Sequence, residues 1–166
     1  GLTLDDVKLV NVNFSLSPSL FTGQADAVIG AFRNFELNQM DIEKRPGRPF
    51  FVEEYGIPAY DELILVANKK SIGEAKLRRF VNGLEAGVQF LVNHPEESWK
   101  LFTRGERKDL DDELNRRAWR DTLPRFALRP GALDRTRYLR FARFLKEQEI
   151  IEKVAPLDGW AVELEN

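Results

Sequence analysis

The pattern of this chain changes near residue 70, and that change does most to restrict its fold. Residues 71–166 repeat apolar side chains at helical spacing, whereas residues 1–70 break into short β-rich runs between turn and helix signals. Strand–helix alternation in the first part predicts a parallel sheet and an α/β fold. Four runs read as strands: Val7–Phe14, Ala25–Gly30, Pro49–Tyr55 and Glu62–Asn68. Between them, Ser17-Pro18 predicts a short helix with Pro at its first position, ended by Gly23. A second helix is expected from about Asn34 to Lys44, stopped by Arg-Pro-Gly-Arg-Pro.

The later part reads as four helices. Ser71 and Glu74 have the spacing of a capping box. Leu77, Phe80, Val81, Leu84, Val88 and Leu91 follow as one apolar stripe of about four turns. Pro95 opens a helix carrying Trp99 and Phe102, Asp109 to about Leu123 makes a third, and Ala132 to Gln148 a fourth. The core face of the last helix is Tyr138, Phe141, Ala142 and Leu145. Few strands for so many helices point to sequence missing from the sheet.

Composition removes much chemistry. No cysteine means no disulfide, thiolate metal site or cysteine nucleophile, and His94 is the single histidine. A His-cluster zinc site is thereby removed, a Ser-His-Asp triad is hard to place, and no metal or cofactor is expected. Lys and Arg number 25 against 27 Asp and Glu, so net charge supplies no general pull toward nucleic acid. Nine arginines between Arg116 and Arg143 are interleaved with Trp119, Phe126, Tyr138 and Phe141, a composition that suits RNA. Helical periodicity opposes that use: Arg137, Arg140 and Arg143 lie opposite the apolar stripe, on a solvated or ion-paired face. His94, just before Pro95, suits a helix C-terminus, where the dipole favours it.

Gly30–Glu36, reading Gly-Ala-Phe-Arg-Asn-Phe-Glu, is the more informative segment. It joins an expected strand to an expected helix, hence the carboxyl edge of a sheet, where open α/β folds bind ligands. Phe32, Asn34, Phe35 and Glu36 offer ring faces, an amide and a carboxylate. Such groups suit a flat nitrogen heterocycle, whose exocyclic amine would donate to the carboxylate. The same residues also read as two core phenylalanines and a helix-capping asparagine.

Three stretches carry a resemblance: Leu4–Phe14, Gly23–Glu36 and Glu54–Leu63 (Glu-Tyr-Gly-Ile-Pro-Ala-Tyr-Asp-Glu-Leu), with Asp112–Phe126 as a distal fourth. Together they resemble the solute-binding proteins of ABC importers for pyrimidine precursors of thiamine, hydroxymethylpyrimidine or its formylamino relative. The resemblance implies a type II periplasmic-binding-protein fold, here incomplete. Residues 1–58 would belong to lobe two, and residues 59–166 to the hinge strand and the helical part of lobe one. It further implies Glu36 as the acidic ligand contact, with Asn34, Phe32 and Phe35 in the same loop and Phe14 at an adjacent strand end. The implied partners are a pyrimidine, a membrane permease and its ATPase, in the periplasm, with no nucleic acid and no catalysis. A fragment of this kind is expected to self-associate when isolated. Two other readings accompany it. One keeps transport with another cargo, a riboflavin-like heterocycle or a sulfonate. The other is a pyrimidine phosphate synthase of the same superfamily, which consumes its own histidine beside pyridoxal phosphate and needs a cysteine-rich segment. Here the corresponding stretch, Leu63–Ala67, reads Leu-Ile-Leu-Val-Ala.

Overall fold

The computed structural model describes residues 3–164. Six α-helices form among the described residues: α1 (Leu16–Phe21), α2 (Glu36–Ile42), α3 (Ala75–Asn93), α4 (Pro95–Phe102), α5 (Glu113–Thr122) and α6 (Arg135–Glu147). Short 3₁₀ segments punctuate the rest, among them Val52–Tyr55, Lys69–Ser71 and Gly105–Leu110, the last kinked at Arg107. The chain divides into two compact units, Gly1–Pro49 with Trp99–Arg125, and Phe50–Ser98 with Phe126–Asn166.

The expected parallel sheet is absent: no strand forms among the described residues. A strand satisfies its N–H and C=O groups only through a neighbour, and none of the four runs lies in a ladder with another. Local bonds take over instead. Asn13 N donates to the Asn11 side chain at 2.9 Å, and Asn13 takes a φ of 50°, so the first run ends in a turn. In the third run, Val52–Tyr55 winds into a 3₁₀ turn closed by Gly56 at φ 91°. The fourth remains irregular, with Leu63 and Val66 each 87% exposed, so both faces of an apolar run meet water.

The helices agree better with the sequence, and their boundaries shift for identifiable reasons. α1 starts two residues early, at Leu16, so Pro18 is its third residue rather than its first. Its stop at Gly23, φ 73°, falls as expected. Asn68 accepts from Lys70 N at 2.9 Å and caps a separate turn through Ser71, leaving Glu74 as the N-cap of α3. The capping box therefore does not open α3 at Ser71. Acidic N-caps also start α5 and α6: Asp112 accepts from Asn115 N at 2.7 Å and Asp134 from Arg137 N at 3.0 Å.

In the first unit the buried apolar side chains are Met40 and Trp99. Trp99 meets Trp119 edge-on at 5.5 Å between centroids, and Phe102 stacks on Trp119 at 5.2 Å. Arg116 lies 4.9 Å above the Trp99 ring and pairs with Asp111 at 2.7 Å. Asp111 also accepts from Trp99 Nε1 at 3.2 Å. Rings, guanidinium and carboxylate thus hold α4, α5 and the turn between them together.

The second unit buries Val88, Ala142 and Leu157. α6 uses the face predicted for it: Tyr60 stacks on Phe141 at 4.6 Å, and Tyr138 meets Trp160 at 5.8 Å. The arginine face is ion-paired at Arg137, which reaches Asp61 at 2.5 Å and Asp134 at 3.5 Å, while Arg140 and Arg143 are exposed. His94 sits at the C-cap of α3, donating its backbone N–H to Phe90 O at 2.8 Å with its ring 4.8 Å from that of Phe90. The apolar stripe of α3 is only partly covered: Val88 is buried, whereas Phe80 stays exposed.

Candidate functional site

The five residues singled out from the sequence all belong to the first unit. Phe32 to Glu36 form one tight turn leading into α2. Phe32 O accepts the backbone N–H groups of Phe35 at 3.1 Å and Glu36 at 3.0 Å. In return the Glu36 carboxylate reaches back and accepts from Phe32 N at 2.6 Å. This reciprocal closure is what a glutamate in the first turn of a helix does best, because the N–H groups there have no intrahelical partner. It closes five consecutive residues into one turn.

The rings of that turn are not core residues: Phe32 is 43% exposed and Phe35 36%. Asn34 does not cap α2, whose N-cap position is taken by Phe35. Its side-chain amide instead donates to Thr122 Oγ1 at 2.6 Å. Phe14 is fully exposed, at 100%. The turn lies at no sheet edge among the described residues, since no sheet forms there.

The surroundings of α2 were not anticipated. Asn38 donates to Asp121 Oδ2 at 2.8 Å, and Arg117 bridges Asp41 at 2.6 Å and Glu113 at 2.7 Å. The available signal was the polar spacing Asn34, Asn38, Asp41, one face of a helix at i, i+4 and i+7. The Asn38 hydrogen bond, followed in importance by the Arg120 guanidinium, holds the Asp121 carboxyl below its ordinary value of 3.8. A carboxyl lowered on folding stabilises the fold above the unfolded value and loses that contribution as pH falls through the folded one. Wild-type thermal midpoints are thus expected to drop more steeply below about pH 4 than those of Asp121→Asn. Superimposable acid limbs in melts between pH 5 and 2 would count against the Asn38–Asp121 contact.

The turn thus sets two exposed rings beside a carboxylate, and no metal-holding cluster occurs among the described residues. The chain belongs to the NMT1/THI5-like family, whose pattern matches residues 1–98. It is 53% identical over 165 residues, 99% of its own length, to a Haemophilus influenzae protein named for thiamine biosynthesis, and spans 52% of that protein. It is 33% identical over 117 residues, 69% of its length, to the formylaminopyrimidine-binding protein of Halalkalibacterium halodurans, and spans 34% of it. The chain thus covers about half of one curated relative and a third of the other. No solved structure matches it. No helix among the described residues is long and apolar enough to cross a membrane.

Proposed function

We propose that this chain is part of a solute-binding protein that captures a thiamine pyrimidine precursor, hydroxymethylpyrimidine or formylaminopyrimidine, and delivers it to the permease and ATPase of an ABC importer in the periplasm. The observation that carries the reading is the Phe32–Glu36 turn, with two exposed rings flanking an ordered carboxylate. An aminopyrimidine presents a π face for such rings and an exocyclic amine for such an acceptor. The relative named for formylaminopyrimidine binding supports the same cargo. Glu36 is the proposed acceptor and Phe32 and Phe35 the stacking faces, with Phe14 reaching the ligand from a neighbouring segment.

In this reading the chain is the later portion of a two-lobe fold, with residues 1–58 in lobe two and 59–166 returning through the hinge to lobe one. Support comes from its span of half the Haemophilus relative and from apolar runs that meet water where a sheet would cover them. The role is binding, not catalysis. His94 is occupied at a helix end against Phe90, and the sequence holds no cysteine for a synthase of the histidine-consuming kind.

Thermal-shift and calorimetric titration of the full-length protein tests the cargo, with hydroxymethylpyrimidine, formylaminopyrimidine, riboflavin and pyridoxal phosphate as ligands. Stabilisation by a pyrimidine alone is the expected result. A response only to riboflavin would replace the cargo, and one to pyridoxal phosphate would replace the binding role with an enzyme.

The 166 residues expressed alone should self-associate. Ile29 is 95% exposed, Leu63 and Val66 are each 87%, and only five apolar side chains are buried among the described residues. Extended apolar backbone of this kind pairs with a second chain. Size-exclusion chromatography with light scattering should give a mass above the 19.2 kDa monomer. A monodisperse monomer with a cooperative melt would defeat the incomplete-fold reading.

A further inference from the structure

α2 and α5 are joined by polar groups in a strict order. Asn34 Nδ2 donates to Thr122 Oγ1 at 2.6 Å, Asn38 Nδ2 to Asp121 Oδ2 at 2.8 Å, and Arg117 Nη1 to Asp41 Oδ2 at 2.6 Å. Residue numbers rise along α2 while they fall along α5, so the helices run antiparallel through three successive links. The polarity of the first link is set as well. Thr122 Oγ1 donates its own proton to Ala118 O at 2.6 Å, which leaves a lone pair for the Asn34 amide. Asn38 Nδ2 also donates to Asn34 O at 3.1 Å and ties the turn to the helix behind it.

We infer that Thr122 and Asp121 are positioning residues for the Phe32–Glu36 turn, acting through Asn34 and Asn38. The inference rests on the proposed site and corrects one part of it, since the Asn34 side chain serves α5 rather than the ligand. The turn is held twice. Glu36 closes it from within through Phe32 N, and the C-terminal end of α5 anchors it from outside. A turn ordered before the ligand arrives does not have to be ordered on binding, and that saving appears directly in affinity. Because the anchor bonds sit at the C-terminal end of α5, displacement of Thr122 would move Asn34 and the adjoining rings together.

The test compares Thr122→Val, which removes the hydroxyl at nearly constant volume, with Thr122→Ser, which keeps it, in the full-length protein. Amide hydrogen exchange of residues 32–36 and affinity for formylaminopyrimidine are read together. Thr122→Val should raise exchange in the turn and weaken binding, each about 5-fold, the scale of one neutral hydrogen bond. Thr122→Ser should restore both. Unchanged exchange in Thr122→Val, or failure of Thr122→Ser to restore it, overturns the inference. Faster exchange spread evenly along α2 and α5 also overturns it, because that is the mark of a merely structural contact. Should Thr122→Val fail to fold, Asn38→Ala removes the second link from the other side and is read the same way. A wild-type protein that binds no pyrimidine would defeat the proposed function, whereas the exchange comparison would still decide the positioning role.

Discussion

Alanine in place of Trp99 is expected to destabilise the unit that holds α5 by about 3–5 kcal/mol, the range for deleting a buried tryptophan. Trp99 is 4% exposed and is the largest side chain buried in that unit. Its removal leaves Trp119 and Phe102 facing a void on one side, since Trp99 lies 5.5 Å and 6.0 Å from their centroids. The Arg116 guanidinium loses the ring beneath it, and Asp111 loses the indole donor while keeping Arg116. Trp99→Phe retains a ring and should cost less, about 1–2 kcal/mol, for the lost donor and unfilled volume. Urea denaturation followed by the fluorescence of Trp119 and Trp160 measures both variants. A loss below about 1 kcal/mol for Trp99→Ala would show that this cluster is not the core of its unit.

Glu36→Gln in the full-length protein should weaken pyrimidine binding by about 1–3 kcal/mol, the scale of a hydrogen bond to a charged group. The structure separates two duties of this side chain. Glutamine keeps a carbonyl oxygen able to accept from Phe32 N, as Glu36 Oε2 does at 2.6 Å, so the turn should survive. What glutamine loses is the charge that strengthens the bond to an exocyclic amine. Glu36→Ala loses both duties and should bind more weakly still, with faster amide exchange in residues 32–36. Calorimetric titration of the two variants checks the order. Equal affinity in wild type and Glu36→Gln would remove Glu36 from the ligand site.

The helices were legible because an α-helix closes its hydrogen bonds within four residues, so apolar periodicity and caps carry the information locally. The Tyr138–Phe141–Leu145 face and the stop at Gly23 follow from neighbours in sequence, and both appear in the structure. At α3 the boundary moved because an adjacent cap competed, Asn68 closing a separate turn ahead of the helix. The β-rich runs form no strand among the described residues, for the opposite reason. Val7–Phe14 and Glu62–Asn68 have strand composition, but a strand exists only when a second segment supplies its ladder, and composition says nothing of that segment.

The Phe32–Glu36 turn could be located from its residue types, while the duties of its members could not be separated. Asn34 reads equally as a cap or a ligand contact until Thr122, 88 residues further on, is seen to take its amide. Asn38 and Asp121 lie 83 residues apart and meet for the same reason. What the residues determined by themselves is the helical character of the second part, the exclusion of cysteine chemistry and the acidic, aromatic makeup of the turn. Only the tertiary structure decided that Glu36 closes the turn, that its rings face outward and that α5 holds it in place. The hold of α5 depends on pairings between distant segments, and such pairings form only when the chain has folded them together, whereas the Glu36 closure spans four residues.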